Sequence, residues 1–434
     1  MKTEALYQVF KKYPKISTDT RNIQRNSIFF ALKGASFNGN TFAKEALEKG
    51  AAFAVIDEPV SPEDKRFIRV DDALKTLQEL AHYHRLKFSI PVIGITGSNG
   101  KTTTKELINQ VLAQGYQTLA TKGNLNNHIG VPLTLLEINN QTEIAIIEMG
   151  ANHVGEIRDL CHIAAPTHGL ITNIGKAHLE GFGSIDGVIQ AKGELYDWIQ
   201  ASKGMLFLQA DNPILSEMAK QRGILQYLSY GKAPSNQVSG EAIKTNPYLS
   251  MYWTFNGQRH EVDTQITGSY NAENVLAAIC VGIHFKLQAS LINKGISTYH
   301  PTNNRSQIIQ TKRNTLICDY YNANASSMVA AIDNFRAQEG LHKILILGDM
   351  FELGQAAEEA HLEIIHKALH TPAESYIFIG PHFYKQKSLQ KPGVHFYETT
   401  SEAKKALQDK PLQHAFILLK ASRGMAFESL LEVF

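Results

Sequence analysis

The stretch "GITGSNGKTTTKELI", Gly94 to Ile108, places Gly97, Gly100 and Lys101 where an apolar run gives way to a polar, helix-forming one. The preceding "IPVIGI" is apolar and β-branched, and "KTTTKELINQVLAQ" favours helix, so the glycines fall at a strand-to-helix turn. An anion belongs at such a turn. Backbone N–H groups at the helix N-terminus point at it, Gly97 and Gly100 let the backbone approach closely, and Lys101 adds a positive charge. Thr102 offers a hydroxyl to a magnesium ion. The common phosphate-binding loop reads G-x-x-x-x-G-K-[ST], and Ile95 stands where its first glycine would be. The loop here is the shorter G-x-x-G-K-T, and Gly97, Ser98, Asn99, Gly100, Lys101, Thr102 and Thr103 are the candidate nucleotide-binding residues. The alternative is an ordinary glycine turn; strand, lysine, threonine and helix all falling in place argue against it. These residues point to a nucleotide and leave the class of enzyme open.

At 434 residues the chain exceeds one ordinary core, and about two to four domains are expected. Its charge is nearly balanced, with 43 Lys and Arg against 41 Asp and Glu, so no electrostatic case exists for a nucleic-acid partner. The opening "MKTEALYQVFKKYPK" lacks a sustained apolar core, and no apolar run elsewhere approaches bilayer-spanning length. A soluble, cytoplasmic protein with no membrane insertion is the expectation. Cys161, Cys280 and Cys318 are widely spaced and unpaired in sequence, which argues for reduced core residues rather than disulfides or a cysteine metal site.

The apolar pattern divides the chain into three α/β parts. Over residues 1–87, "SIFFAL", "AAFAVID" and "RFIRV" alternate with turn-rich links, as in a small α/β domain. Residues 88–304 carry the phosphate loop, and "EIAIIEM" and "HGLITNI" suit buried parallel strands of a central ATPase domain. Shorter alternating segments between Ala233 and Gly268 predict an antiparallel excursion before a helix near Ala272. Over residues 305–434, "TLICDYY", "KILILGDM", "SYIFIG", "GVHFYE" and "HAFILLKASRG" are spaced by helical segments, which predicts a second open, Rossmann-like sheet.

Ligands of open parallel sheets gather at the carboxyl ends of the strands, so the polar residues ending these apolar runs carry the most information. Glu148 ends "AIIEM" and suits Mg²⁺ near the loop's phosphates, although a strand-end glutamate is more often solvated. His178 follows another strand end, where a lone histidine is usually structural.

The segments "GITGSNGKTTTKE", "KGNLNNHIGVPLTLL", "IIEMGANHVGEI", "NIGKAHLEGFGS", "AKGELYD", "YNAENVLAA", "DYYNANASSM", "LGDMFELG" and "LLKASRGM", in that order, resemble the Mur ligases across almost the whole chain. The resemblance implies an ATP-dependent amide ligase that joins D-alanyl-D-alanine to UDP-N-acetylmuramoyl-tripeptide, acting as a monomer. It implies that Lys101 and Thr102 hold ATP phosphates and Mg²⁺, that Glu148 is a ligand of that metal, and that His178 serves a second Mg²⁺. Lys192, in "QAKGELYD", aligns with the lysine that family members carry as a carbamate; the bland alternative is a solvated helix lysine. Asn271 and Asn274 match the adenine-side "YNxxN", although asparagine at a helix start is equally a cap. Arg305 and Asp319 match residues that face ATP when the domains close, and asparagine precedes Arg305 where the family more often has glycine. Asn322 and Asn324 follow in the same motif. Lys420, Ser422 and Arg423 fall at a final strand end, suited to the incoming dipeptide and the closed state or to a polar surface turn. Asp19, Thr20 and Arg21 resemble the family's "DSR", which handles the uridine nucleotide. Asn124, Asn126 and Asn127 would contact the muramoyl-peptide side, or cap the following turn. Two rivals share features with this reading: a sister ligase adding a single amino acid, and a non-catalytic ATP-binding switch.

Overall fold

The computed structural model describes residues 2–175 and 179–434. Its first strands are β1 (Lys15–Ser17), β2 (Ser27–Phe30), β3 (Lys33–Gly34), β4 (Phe37–Asn38), β5 (Phe53–Ile56) and β6 (Phe67–Arg69). A parallel sheet runs β1-β2-β5-β6, with β3 and β4 paired as a separate hairpin. Every residue of "SIFF" in β2 is buried, as the continuous apolar run requires. The helix Ala73–Arg85 then crosses toward the next sheet. Asp72 caps it by accepting from Lys75 N at 2.8 Å, and Leu77, Leu80 and Ala81 form its buried stripe. Its last residue is buried. Arg85 donates to the carbonyls of Phe88, Ile90, Ala164 and Ala165, so one guanidinium ties the end of the first domain to the start of the second. Apolar packing does the same. Phe10 and Leu77 share a buried cluster with Val131, Ile147 and Leu195.

The central sheet contains β7 (Val92–Thr96), β8 (Thr118–Ala120), β9 (Ile144–Glu148), β10 (His168–Ile171), β11 (Met205–Gln209), β12 (Tyr227–Gly231), β13 (Val238–Lys244), β14 (Ser250–Phe255) and β15 (Gln258–Asp263). Their spatial order is β15-β14-β13-β12-β11-β10-β7-β9-β8. The strands from β8 to β13 are parallel, and β13, β14 and β15 form the expected antiparallel excursion before the helix Asn271–His284. From β7 the chain moves outward to β8 and β9, then crosses to β10 on the opposite flank. The carboxyl end of β7 is therefore a topological switch point, the place where an open α/β sheet leaves a crevice for a ligand.

The last sheet has β16 (Gln307–Gln310), β17 (Thr315–Asp319), β18 (Lys343–Gly348), β19 (Ser375–Ile379), β20 (Val394–Tyr397) and β21 (Phe416–Lys420), in the order β16-β17-β21-β18-β19-β20. Only the edge strand β16 is antiparallel to its neighbour. Before this sheet, Asn304 has a φ of +56°, a left-handed conformation that glycine adopts freely and asparagine tolerates best among side-chain-bearing residues. Asparagine thus meets the backbone demand at the position before Arg305. All three cysteines are free and buried. Among the described residues no helix is long and apolar enough to cross a membrane.

Candidate active site

Three adjacent strands, β10, β7 and β9, end together and build the floor of the site. After β7, Gly97 has a φ of +146° and a Cβ there would lie 1.9 Å from Thr172 Oγ1. Gly100 has a φ of +79°, with Asn274 Oδ1 2.6 Å from where its Cβ would be. Glycine is required at both positions. The loop between them is clamped to the end of β10: Ser98 N donates to the Asn173 carbonyl (3.0 Å), Asn99 N to Asn173 Oδ1 (3.0 Å), and Thr172 Oγ1 to the Asn99 carbonyl (2.6 Å). Helix Lys101–Leu112 then starts at Gly100 without a side-chain cap. Its first N–H groups are left to an anion.

Lys101 Nζ donates to the Gly97 carbonyl at 2.6 Å and the Ser98 carbonyl at 3.3 Å. Burial, opposed by the Glu148 carboxylate and reinforced by the Arg305 charge, pushes its ammonium down to about 8. Glu148 is 1 % exposed, not solvated. Its Oε1 accepts from Thr102 Oγ1 (3.1 Å) and Asn126 Nδ2 (2.8 Å). Its Oε2 is buried with no hydrogen-bond partner among the described residues, which leaves a hard anionic oxygen for a cation. Asn126 thereby orients Glu148, whereas Asn127 Oδ1 accepts from Ile129 N and Gly130 N and caps the following turn. Lys192 is 1 % exposed, on helix Ile185–Ser202, with Nζ 5.6 Å from the centroid of the Phe182 ring. Burial, with the charge on Lys101, pushes its ammonium well below the ordinary lysine range. The solvated alternative is excluded. His178 lies outside the described residues.

The C-terminal sheet supplies the opposite wall. Lys420 Nζ lies 3.1 Å from Asp319 Oδ2 and donates to the Asn322 carbonyl at 2.7 Å, bracing neighbouring strand ends. Asp319 Oδ1 also accepts from Ser306 N. The Arg305 guanidinium lies over the Tyr321 ring at 3.7 Å and that of Arg423 at 5.1 Å, so one ring is flanked by two cations. Ser422 is buried and turned into the protein, where its Oγ accepts from Phe351 N at 3.0 Å.

One cleft of about 690 Å³ is lined by the loop from Ser98 to Thr103 together with Asn124, Asn126, Asn127, Glu148, Asn271, Asn274, Arg305, Asp319, Asn322, Asn324 and Lys420. Asp19, Thr20 and Arg21 stand away from it. Arg21 forms a bidentate pair with Asp19, whose carboxyl that hydrogen bonding holds down at about 2, and Asp19 caps a short turn by accepting from Arg21 N. Asn271 is not a cap. Tyr270 holds that position, while Asn271 Nδ2 donates to the Thr267 carbonyl (2.7 Å) and its Oδ1 accepts from Asn274 Nδ2 (2.8 Å). Sequence reasoning passes over Asn173, Tyr321 and Ser326. All three lie inside the quoted "HGLITNI" and "DYYNANASSM", and for the first two their position at strand ends was the available signal.

Family models match the chain in three segments: Mur ligase family, catalytic domain, over residues 12–85; Mur ligase middle domain over 95–282; and Mur ligase, glutamate ligase domain, over 304–423. The UDP-N-acetylmuramoyl-tripeptide–D-alanyl-D-alanine ligase of Bacillus subtilis is 35% identical over 426 residues, covering 96% of this chain and 92% of the relative. The crystal structure of MurF from Acinetobacter baumannii superposes with a TM-score of 0.89 at 29% identity, covering 99% of this chain and 97% of that one. MurF ligase from Thermotoga maritima, solved in complex with ADP, has a TM-score of 0.84 at 25% identity, covering 97% and 96% of the two chains.

Proposed function

The chain belongs to the Mur ligase family, and from that premise we propose that it joins D-alanyl-D-alanine to UDP-N-acetylmuramoyl-tripeptide while ATP is cleaved to ADP and phosphate. The observation that carries this reading is one cleft in which the uncapped phosphate loop faces Arg305, Asp319 and Asn322 of the C-terminal sheet. The chain's similarity to a ligase of that name extends over 96% of its length.

A carboxylate acylates poorly. In the proposed reaction the tripeptide's terminal carboxylate attacks the γ-phosphorus of ATP, an acyl phosphate forms, and ADP leaves. The dipeptide amine then attacks the acyl carbon, loses a proton, and expels phosphate. Two anions meet in the first step, and Lys101 with the open N–H groups of its helix offsets their repulsion and the charge on the transferred group. Arg305 adds a cation from the opposite wall. Water would hydrolyse the acyl phosphate, so a C-terminal domain seated over the loop keeps it out.

Thr102 Oγ1 and Glu148, whose buried Oε2 lacks a protein partner, fit Mg²⁺ and would hold it. When bound, that ion supplies charge neutralisation of the phosphates. Lys192 is assigned as a carbamate: its neutral amine adds CO₂ and loses a proton, turning a buried amine into a carboxylate. Burial that favours the neutral amine supports this. With His178 it is assigned to a second Mg²⁺.

The remaining assignments follow the three parts of the chain. Residues 1–87 receive the uridine nucleotide at Asp19, Thr20 and Arg21, and residues 88–304 take ATP, with the adenine beside Asn271 and Asn274. Asn124 and Asn127 face the muramoyl peptide, and residues 305–434 take the dipeptide near Asn322 and Arg423. Substrates of this kind place the reaction in the cytoplasm. The test is incubation with ATP, Mg²⁺, UDP-muramoyl-tripeptide and a panel of amino acids and dipeptides, with products identified by mass. D-alanyl-D-alanine should be the efficient acceptor. Efficient addition of a single amino acid would assign the chain to a sister ligase, and no ATP-dependent product would leave a nucleotide-binding switch.

A further inference from the structure

The central domain meets its two neighbours in unlike ways. Against the first domain the contact is built on a continuous apolar cluster, to which Arg85 adds hydrogen bonds. The C-terminal domain keeps its own two buried clusters, neither of which includes a central-domain residue among those described, and it is joined to the central domain by hydrogen bonds. A polar seam of that kind suits an interface that opens and closes.

One helix, Ala325–Ala337, carries most of the seam. Ser326, Ala330, Asn334 and Gln338 recur at every fourth residue and so share a face. At its amino end Asn324 Nδ2 donates to Asn99 Oδ1 at 2.8 Å, and Asn99 Nδ2 donates to Ser326 Oγ at 2.9 Å, so the helix start rests on the phosphate loop. At the other end Asn334 Nδ2 donates to Thr267 Oγ1 at 3.2 Å. Gln338 Nε2 donates to the same oxygen at 3.1 Å and to the Thr245 carbonyl at 2.7 Å. These groups are buried: Thr267 is 0 % exposed, Gln338 3 % and Asn334 6 %. Behind Thr267 the chain of bonds continues through Asn271 and Asn274 to Thr104 Oγ1, on the phosphate-loop helix. Sliding the helix by one residue would strand buried amides, whereas an apolar face would tolerate the shift.

We propose that Asn334 and Gln338 are positioning residues for the ligation. They key the C-terminal domain to the central domain about 18 Å from the phosphate loop, the rise of twelve helical residues, and the helix carries that registration to Asn324 and to the wall bearing Arg305 and Asp319. The proposal rests on the ligase reading only for its kinetic readout.

The test uses the full chain with the double substitution Asn334→Ala and Gln338→Ala, and separately Thr267→Val and Thr267→Ser. ADP affinity should stay within about twofold of wild type, since the phosphate loop is untouched. The ligation kcat should fall by about tenfold to a hundredfold with little change in KM for ATP. Thr267→Val should reproduce the loss, and Thr267→Ser, which keeps the hydroxyl, should restore activity. Spin labels on Leu225→Cys and Leu341→Cys, at positions 89 % and 78 % exposed in the central and C-terminal domains, report the interdomain distance, and the native cysteines are buried. That distance should be narrow with ADP in the parent and broad in the double variant and in Thr267→Val. Wild-type kcat and a narrow distance in folded Thr267→Val and in the double variant would overturn the proposal and leave the ligase reading standing. A parent that forms no amide, yet whose distance broadens on these substitutions, would sink the ligase reading and support the keying.

Discussion

Two strand–loop–helix units face each other across the cleft, and their helix starts are opposites. After β7, the helix Lys101–Leu112 begins at Gly100 with a φ of +79° and no side-chain cap. After β17, the helix Ala325–Ala337 begins at Asn324, whose side chain accepts from Ser327 N while Ser327 Oγ accepts from Asn324 N, a complete capping box. The first end keeps its N–H groups and positive field for an anion. The second satisfies its own N–H groups and presents side-chain amides to a protein partner, Asn99. The same topology therefore yields an end open to an anion or a docking end, according to whether the capping residue is glycine or asparagine.

The largest effect should come from removing the charge at the open end. Lys101→Ala is expected to lower ligation by about a thousandfold, because its ammonium is proposed to act on charge that develops during phosphoryl transfer. The thermal midpoint should not fall, since a buried ammonium held down at about 8 is lost with it. Near-normal turnover would erase the functional half of the comparison. Next in size is Lys192→Ala, expected to reduce activity by about a hundredfold and to recover in part with added acetate, whose carboxylate would fill the space of the proposed carbamate. Full activity without acetate would return Lys192 to a packing role.

Two substitutions compare the helix starts directly. Gly100→Ala forces a side chain into a left-handed conformation, costing about 1–2 kcal/mol, and pushes a methyl group against Asn274. Asn324→Ala removes a cap, costing about 1 kcal/mol. Urea denaturation should show both losses, but ADP affinity should collapse only for Gly100→Ala. Equal loss of ADP affinity in the two variants would mean that the second helix start also binds phosphate.

The smallest effect on ligation is expected at the amino end of the same central sheet, where the consequence is for stability alone. His168 and His284 hold their Nε2 atoms 3.0 Å apart, beside Phe207 and Phe285. Burial, with His284 beside it, pushes His168 down to about 4. An unfolded chain takes up that proton near pH 6.5, and the folded chain does not until about pH 4. Stability is therefore complete above pH 6.5 and falls as the pH drops toward 4, by about 1–3 kcal/mol. His168→Phe should flatten that part of the urea midpoint's pH profile and leave ligation unchanged.

Local chemistry explains what was legible in the sequence. Gly97, Gly100, Lys101 and Thr102 act within one turn, so their spacing carries their geometry, and Glu148 ends a run whose β-branched residues mark a buried strand. The antiparallel excursion was readable from its alternation. The short edge strand β16, "QIIQ", has no such signal, because an edge strand of four residues is defined by its partner. Asn271 illustrates a second limit. At a helix start it reads as a cap or a ligand, and only the folded chain shows it relaying hydrogen bonds between Asn274 and Thr267. Ser422 likewise reads as a dipeptide contact or a polar surface turn, and only the folded chain shows it buried, with its Oγ accepting from Phe351 N.

In the proposed reaction the tripeptide's carboxylate becomes an acyl phosphate before the amide forms. Tripeptide substrate labelled with ¹⁸O in its terminal carboxylate, incubated with ATP, Mg²⁺ and D-alanyl-D-alanine, tests it in one mass spectrum. One ¹⁸O atom should appear in the inorganic phosphate released with each amide bond, and none in ADP. Label appearing in AMP, or amide formed with unlabelled phosphate, would contradict it.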